Sequence, residues 1–487
     1  MKKNSLRLDV EPIRFGTDGW RGVLGVDITL EKLLVVAAAA SRELAWRASL
    51  IGLKSRRVVI GYDRRFLAPE LAEAIASAVR GCDLEPLLTS TSVPTPSCSW
   101  AVLQHKALGA LVITASHNPP EWLGLKIKGS WGGSVEEDFT KAVEQRIFAA
   151  GVTTPIEAIT ERFDGRKEHL DGLRCKSDIP SLINGLESMG LKVIVDPMHG
   201  SAAGCIAELL QDARNGLVEE IRGERDPLFG GNPPEPLEPY LKELIEAVQK
   251  SSSNGQIALG LVFDGDGDRL AAVDEKGRFC STQLLMPLLI DHLARVKNNS
   301  GCVIKTVSGS DLMRLVAEDH QREVMELPVG FKYIAAQMLK KEVLIGGEES
   351  GGIGFGGHLP ERDALYASLL LLEALTHNGQ PLGKCLDALK ERFGNSDYDR
   401  LDLRLKDLAT RHRLEEFLQS NPPSEVAGVP VKDVITIDGV KLRLGEMHWL
   451  MFRFSGTEPL LRIYCEAPTN EEVKQSLLWA QQLAQKI

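Results

Sequence analysis

Four times along the chain a short apolar run passes directly into a polar or glycine-rich cluster: LVITASHNPP, VIVDPMHGSAAG, LVFDGDGDR and VLIGGEESGG. Strand-length apolar runs (Arg57–Tyr62, Ala110–Ala115, Lys192–Asp196, Ala258–Asp264, Val343–Gly347) alternate with stretches of three- and four-residue apolar spacing. These stretches predict helices over Leu30–Trp46, Pro69–Arg80, Pro239–Lys250, Ser310–Asp319 and Ala364–Thr376. The alternation implies mostly parallel sheets with crossover helices. Ligands of such sheets bind beyond the carboxyl ends of the strands, where backbone amides are free. Several clusters of this kind place several α/β units around one cleft. Each cluster is also compatible with an ordinary tight turn, and for DPMHG the two readings balance.

At 487 residues the chain is too long for one hydrophobic core and divides into three or four domains. The pattern changes near the C-terminus, where DVITIDGVKLRLG reads as a hairpin and Asn470–Lys486 as a closing helix, together a smaller α+β unit. The net charge of −10 supplies no general attraction for nucleic acid or anionic membrane, so neither is an expected partner. An acidic protein that takes anionic substrates must hold them with local arginines and lysines. The eight cysteines are scattered without a CxxC pair and read as reduced core residues. The first residues lack the apolar segment of a secretory signal, and the Leu33–Ala40 run is too short to span a bilayer. A cytoplasmic location is the expectation.

Asp264, Asp266 and Asp268 alternate with glycines in FDGDGDR. Carboxylates at alternate positions of a tight loop can wrap one hard cation. A calcium loop of EF-hand type would need glycine where Arg269 stands, although Glu275 falls at its twelfth position. A catalytic Mg²⁺ suits the array better, and a solvated acidic turn is the plain alternative. Ser116, in TASHNPP, is a nucleophile only if a base or metal activates it. Adjacency to His117 does not supply that geometry, and a helix-capping turn is the alternative. RFSGTEP gathers Arg453, Ser455, Gly456 and Thr457 into a loop that can cradle phosphate or simply turn a hairpin. GEESGG offers Glu348, Glu349 and Ser350 as partners for sugar hydroxyls, or forms a solvated acidic turn.

Together these segments resemble the α-D-phosphohexomutase family, the phosphoglucomutases and phosphomannomutases. FGTDGWRG at 15–22, TASHNPP at 114–120, DGDGDR at 264–269, GEESGG at 347–352 and RFSGTEP at 453–459 follow the family's order over nearly the whole chain. The resemblance implies three related α/β domains with mixed sheets (1–161, 162–278, 279–391) and a smaller C-terminal α+β domain (392–487) around a central cleft. It implies a phosphorylated Ser116, Mg²⁺ held by Asp264, Asp266, Asp268 and the Ser116 phosphate, and Lys126 as general acid/base. Arg21 and His117 are expected beside the transferring phosphoryl group. Arg269, Lys332, Glu348 and Ser350 are expected on the sugar, and Arg453–Thr457 on the distal phosphate. The implied reaction interconverts hexose 1- and 6-phosphates through a bisphosphate, with glucose 1,6-bisphosphate as activator and a monomer or homodimer as the working form.

Two departures bear on the substrate. Trp122-Leu123-Gly124 replaces the frequent Tyr-Asn-Gly, and Gly352 stands where dual mannose/glucose enzymes carry histidine, which favours glucose over mannose. An apolar Leu123 beside the serine also raises a glucose-1,6-bisphosphate synthase as an alternative. A non-catalytic sugar-phosphate sensor is a further one, although a sensor need not keep Ser116, Lys126 and all three aspartates.

Overall fold

Runs rich in β-branched residues, such as RVVIGY (Arg57–Tyr62), KVIVD (Lys192–Asp196) and CVIKT (Cys302–Thr306), form central parallel strands that are almost wholly buried. The structure is a computed structural model and describes residues 13–16, 18–149, 158–455 and 459–486. The first sheet orders as Trp20–Val23, Trp122–Lys128, Ala110–Ile113, Arg57–Tyr62, Glu85–Thr89 and Glu161–Phe163. Its last four strands run parallel, and Trp122–Lys128 returns against Ala110–Ile113. In the second sheet Lys192–Asp196 lies parallel to Val218–Glu220 and Ala258–Phe263, and Leu270–Val273 returns against the latter. In the third, Cys302–Thr306 lies between Val324–Leu327 and Val343–Gly347, and Ile353–Phe355 returns.

The same device therefore occurs three times. A parallel strand ends in a loop and folds back antiparallel, and the three loops are residues 114–121, 264–269 and 348–352. The mixed sheets implied by the family resemblance are what the chain forms, and the mostly parallel pattern read from periodicity misses the return strands. The predicted helix at Leu30 runs on to Leu50, capped by the Thr29 hydroxyl, which accepts from Lys32 N–H. The helix predicted from Pro239 instead starts at Lys242, because Glu238–Tyr240 forms a separate 3₁₀ turn.

The fourth sheet is wholly antiparallel, in the order Asp397–Arg404, Leu460–Ala467, His448–Phe454, Val440–Gly445 and Asp433–Ile435, and is covered by the helix Asn470–Lys486. The second and third domains share one continuous apolar core, whereas the first and fourth have their own. The fourth domain is joined to the third by a small apolar cluster, in which Val307 packs with Trp449, Met451 and Tyr464, and by a buried polar knot. Buried Glu466 accepts from Ser396 Oγ at 2.5 Å, Trp449 Nε1 at 2.5 Å, the Asp311 amide at 2.9 Å and the Ser310 hydroxyl. No helix among the described residues is long and apolar enough to cross a membrane.

Four donors converging on one carboxylate make Glu466 the anchor of this interface. Glu466→Ala leaves them unsatisfied and should cost about 2–4 kcal/mol. Hydrogen exchange should show the loss as earlier opening of residues 397–467, ahead of the first domain.

Candidate active site

The serine loop is held from behind. Asp63, just past the strand Arg57–Tyr62, accepts from Thr114 Oγ1 at 2.7 Å, and Thr114 Oγ1 accepts from the Ser116 amide at 2.7 Å. Buried Arg65 donates to the carbonyls of Ser116 (2.8 Å), Asn118 (2.6 Å), Pro119 (2.7 Å) and Trp122 (3.0 Å). These bonds hold Ser116 at φ 53°, a left-handed conformation that a serine adopts only when its surroundings over-determine it. The hydroxyl is thereby aimed at the second domain, where Ser116 Oγ donates to Asp264 Oδ2 at 2.7 Å. His117 Nδ1 lies 3.3 Å from the same oxygen. Burial, followed by Arg269, Arg21 and Lys126, holds the His117 imidazole well below its ordinary pKa and therefore neutral.

The aspartate loop reaches the serine loop because residue 265 is glycine: a Cβ there would stand 2.6 Å from the Ser116 carbonyl oxygen. Asp264 Oδ1 accepts from the amides of Asp268 (3.0 Å) and Arg269 (3.1 Å), which closes the loop. Ser201, directly after DPMHG, supports it, its amide donating to the Gly265 carbonyl at 3.0 Å. Oxygens of Asp264, Asp266 and Asp268 lie within 4.8 Å of one another, and all three residues are buried. Among the described residues, Asp266 Oδ1 and Asp268 Oδ1 have no hydrogen-bond partner. Orphaned carboxylate oxygens converging in a buried loop are what a hard divalent cation requires, so the residues fit a metal site. Glu275 does not join them; it accepts from the Gly383 amide at 2.8 Å, which removes the calcium-loop reading.

Lys126 projects from the return strand into this array. Its Nζ lies 2.7 Å from Asp268 Oδ2, 2.8 Å from Asp266 Oδ2 and 2.9 Å from Asp18 Oδ2. Burial alone would discharge the ammonium, but the three carboxylates outweigh it and hold the pKa far above the ordinary lysine value. Asp264 is pushed well above the carboxylate range by burial and by its neighbours Asp266 and Asp268. Arg21 bonds Asn118 Oδ1 at 3.0 Å and the Asp18 carbonyl at 3.2 Å. Arg269 Nε stays 3.9 Å from Asp264 and 4.0 Å from Asp268.

Several partners escape the sequence reading. Arg362, buried in the third domain, lies 2.9 Å from Asp268 Oδ2 and 3.8 Å from Glu348 Oε2 and also pairs with Asp18. Thr95 donates to Asp266 Oδ2 at 2.5 Å, and Lys128 pairs with Glu361. The only sequence signal for Asp18 is its place in FGTDGWRG. Arg362 and Thr95 lie in no segment whose pattern marks it.

The third hairpin brings Glu348 into the same cleft, buried, and leaves Ser350 half-buried at its tip. The Leu270 amide donates to the Gly351 carbonyl at 3.0 Å, which stitches the aspartate and glutamate loops together. Burial, eased by Arg362, raises Glu348 to about 7. Lys332 and Arg453 lie at the rim. Lys332 Nζ is 3.6 Å from Glu137 of the first domain, and Arg453 Nε is 2.8 Å from Asp438. Ser455 closes its hairpin on the Leu460 carbonyl at 2.9 Å, whereas Gly456 and Thr457 fall outside the described residues. Leu123 is a correction: its side chain is fully buried in the first domain's core. Strand parity turns Lys126 and Gly124 toward the cleft and residues 123, 125 and 127 away from it.

Models of phosphoglucomutase/phosphomannomutase alpha/beta/alpha domains I, II and III match residues 12–153, 167–277 and 282–393, and that of the C-terminal domain matches 403–477. A phosphoglucomutase/phosphomannomutase of Thermococcus kodakarensis is 28% identical over 95% of this chain and 96% of its own. A phosphoglucosamine mutase of Limosilactobacillus reuteri is 27% identical over 94% and 95%. A crystal structure from Thermus thermophilus, assigned provisionally to the phosphomannomutases, superposes with TM-score 0.85 at 33% identity, covering 98% of this chain and all of that one.

Two outcomes follow from the geometry. Asp266→Asn removes a charged ligand of near-identical shape and should weaken Mg²⁺ binding at least about tenfold by calorimetry. Glu348 titrates from about 7 when folded and from 4.5 as an unperturbed group. An acid raised on folding is neutral in both states at low pH, and its cost to stability grows between those values as only the unfolded chain ionises. Glu348→Gln should therefore match wild type near pH 4.5 and gain melting temperature relative to it up to pH 8.

Proposed function

The chain belongs to the phosphoglucomutase/phosphomannomutase family, the α-D-phosphohexomutases, and on that premise we propose that it interconverts the 1- and 6-phosphates of a glucose-type hexose through phosphorylated Ser116. One observation carries the reading: the Ser116 hydroxyl, fixed in a strained loop, is held 2.7 Å from Asp264 inside a buried array of carboxylates and cations. A hydroxyl that only caps a helix needs no such surroundings. Phosphoryl transfer depends on alignment and charge neutralisation, and these residues supply both.

In the forward step the bond from Ser116 Oγ to phosphorus breaks and one from a sugar hydroxyl forms. Lys126, kept charged by Asp18, Asp266 and Asp268, gives Ser116 Oγ its proton, and the proton lost by the sugar hydroxyl restores Lys126. A hexose bisphosphate results, and after it reverses in the cleft its other phosphate returns to Ser116. Mg²⁺ bound by Asp264, Asp266 and Asp268 would supply charge neutralisation at the phosphoserine. Arg21 and Arg269 face the same region, and neutral His117 serves as a hydrogen-bonding group. Glu348 and Ser350 orient the sugar from the third hairpin, and Arg453 takes the distal phosphate. Glucose 1,6-bisphosphate, as the intermediate of the glucose reaction, would prime the enzyme by phosphorylating Ser116.

A second reading of the sugar is supported by the phosphoglucosamine mutases among the relatives. Glu348 and Glu349 put two carboxylates in the sugar-facing loop, where a 2-ammonium group would find a counter-charge. A bisphosphate synthase loses its motive, because Leu123 faces the core and removes no contact from the cleft.

Ser116→Ala should abolish conversion of glucose 1-phosphate and of glucosamine 1-phosphate into their respective 6-phosphates while leaving the melting temperature near that of wild type. Intact-mass analysis of wild type incubated with glucose 1,6-bisphosphate should show one added phosphate that the alanine variant lacks. Turnover by the alanine variant would refute the phosphoserine. Comparing kcat/KM for the two sugars decides between them, and Glu349→Gln should penalise the amino sugar more than glucose.

A further inference from the structure

The dipeptide Asp438-Gly439, which opens the strand Val440–Gly445, has no part in the family motifs quoted above, yet it sits against the phosphate-cradle arginine. Gly439 has φ 90°, and a Cβ on it would stand 2.1 Å from the Phe452 carbonyl oxygen and 3.1 Å from Arg453 Cα. Only glycine permits that approach, so the turn is pressed onto the strand His448–Phe454 and Asp438 is delivered to the Arg453 side chain. Asp438 Oδ2 accepts from Arg453 Nε at 2.8 Å and, on the same oxygen, from the Val329 amide at 3.0 Å. Val329 is the second residue of the PVGFK segment of the third domain, whose other end is tied to the first domain by Lys332 and Glu137 at 3.6 Å.

One carboxylate oxygen thus joins the arginine expected on the distal phosphate to the loop expected on the sugar. We propose that Asp438 is a positioning residue that sets the Arg453 guanidinium and the 328–332 loop together, so that phosphate and sugar are gripped in one registered movement. The inference rests on the mutase reading above and deepens it. Bonding through Nε restrains the guanidinium near the turn. Electrostatics alone predicts the opposite of positioning: a carboxylate beside a dianion's site opposes binding, and removing a mere counter-charge should tighten it. Glu349 and Tyr464 also face Arg453 and remain in place when Asp438 is changed.

The test compares Asp438→Ala with Asp438→Asn in the full chain. Asparagine keeps an oxygen for both donors and drops the charge. Dissociation constants for glucose 1-phosphate and glucosamine 1-phosphate are measured in a Ser116→Ala background, where no phosphate moves, and KM and bisphosphate release are measured with Ser116 intact. Asp438→Ala should weaken binding and raise KM roughly tenfold, with more bisphosphate escaping per turnover. Asp438→Asn should stay within about threefold of wild type on all three measures. Unchanged or tighter binding in Asp438→Ala, or an asparagine variant as impaired as the alanine one, overturns the proposal. Should the intact enzyme bind these sugars without interconverting them, the mutase reading fails, and the order of the binding constants still decides the role of Asp438.

Discussion

Lys126 Nζ lies within 2.9 Å of Asp18, Asp266 and Asp268, and Arg362 closes the ring by contacting Asp18 and Asp268. Each of these charges is largely withdrawn from water, at a cost of several kcal/mol per ion unless its partners are in place. Lys126 and Asp18 come from the first domain, Asp266 and Asp268 from the second, and Arg362 from the third. None of the three can dock without the other two, because each would leave buried charge uncompensated. The interaction that assembles the domains is therefore the one that sets the electrostatics of the cleft. It also holds Lys126 as a charged ammonium in the resting cleft.

The strand-end motifs were legible because each carries its own chemistry within a few residues. Alternating carboxylates, a serine after an apolar run and an acidic glycine-rich hairpin announce themselves locally, and the family resemblance then ordered them around one cleft. The residues that make the site rigid were not legible. Arg65 binds Ser116 O across 51 positions, Thr95 reaches Asp266 across 171, and Arg362 reaches Asp18 across 344. No periodicity or spacing encodes such pairs, and only the assembled sheets bring them together.

Leu123 shows a different kind of failure. Read along the sequence, it lies close to the serine and looks like a lost polar contact. Its environment is decided by strand parity: with Leu125 opposite Trp20, and Lys126 opposite Val112, the odd residues of Trp122–Lys128 enter the core. A one-residue change of register would have put Leu123 in the cleft and Lys126 in the core. The pairing that settles this is a tertiary fact, and the burial of Leu123 follows from the same pairing that delivers Lys126.

The net charge of −10 poses the remaining problem, since the implied substrates are themselves anions. The cleft meets it with cations that, among the described residues, already rest on carboxylates. Arg453 rests on Asp438, Lys332 on Glu137, Arg21 on Asp18, and Lys126 on its three carboxylates. A phosphate arriving at such a cleft joins or replaces carboxylates on cations that are already oriented. Some binding energy is lost to that competition, because the displaced carboxylate must be solvated again. In exchange the cations are fixed before the substrate arrives, which is what alignment-limited phosphoryl transfer requires. Under the mechanism proposed above it would also let two chemically different phosphates on one sugar be held in turn, since a grip that must release its ligand for reversal cannot be the tightest one available. On that mechanism, paired cations at the rim would exchange partners while the over-paired cations of the interior hold still.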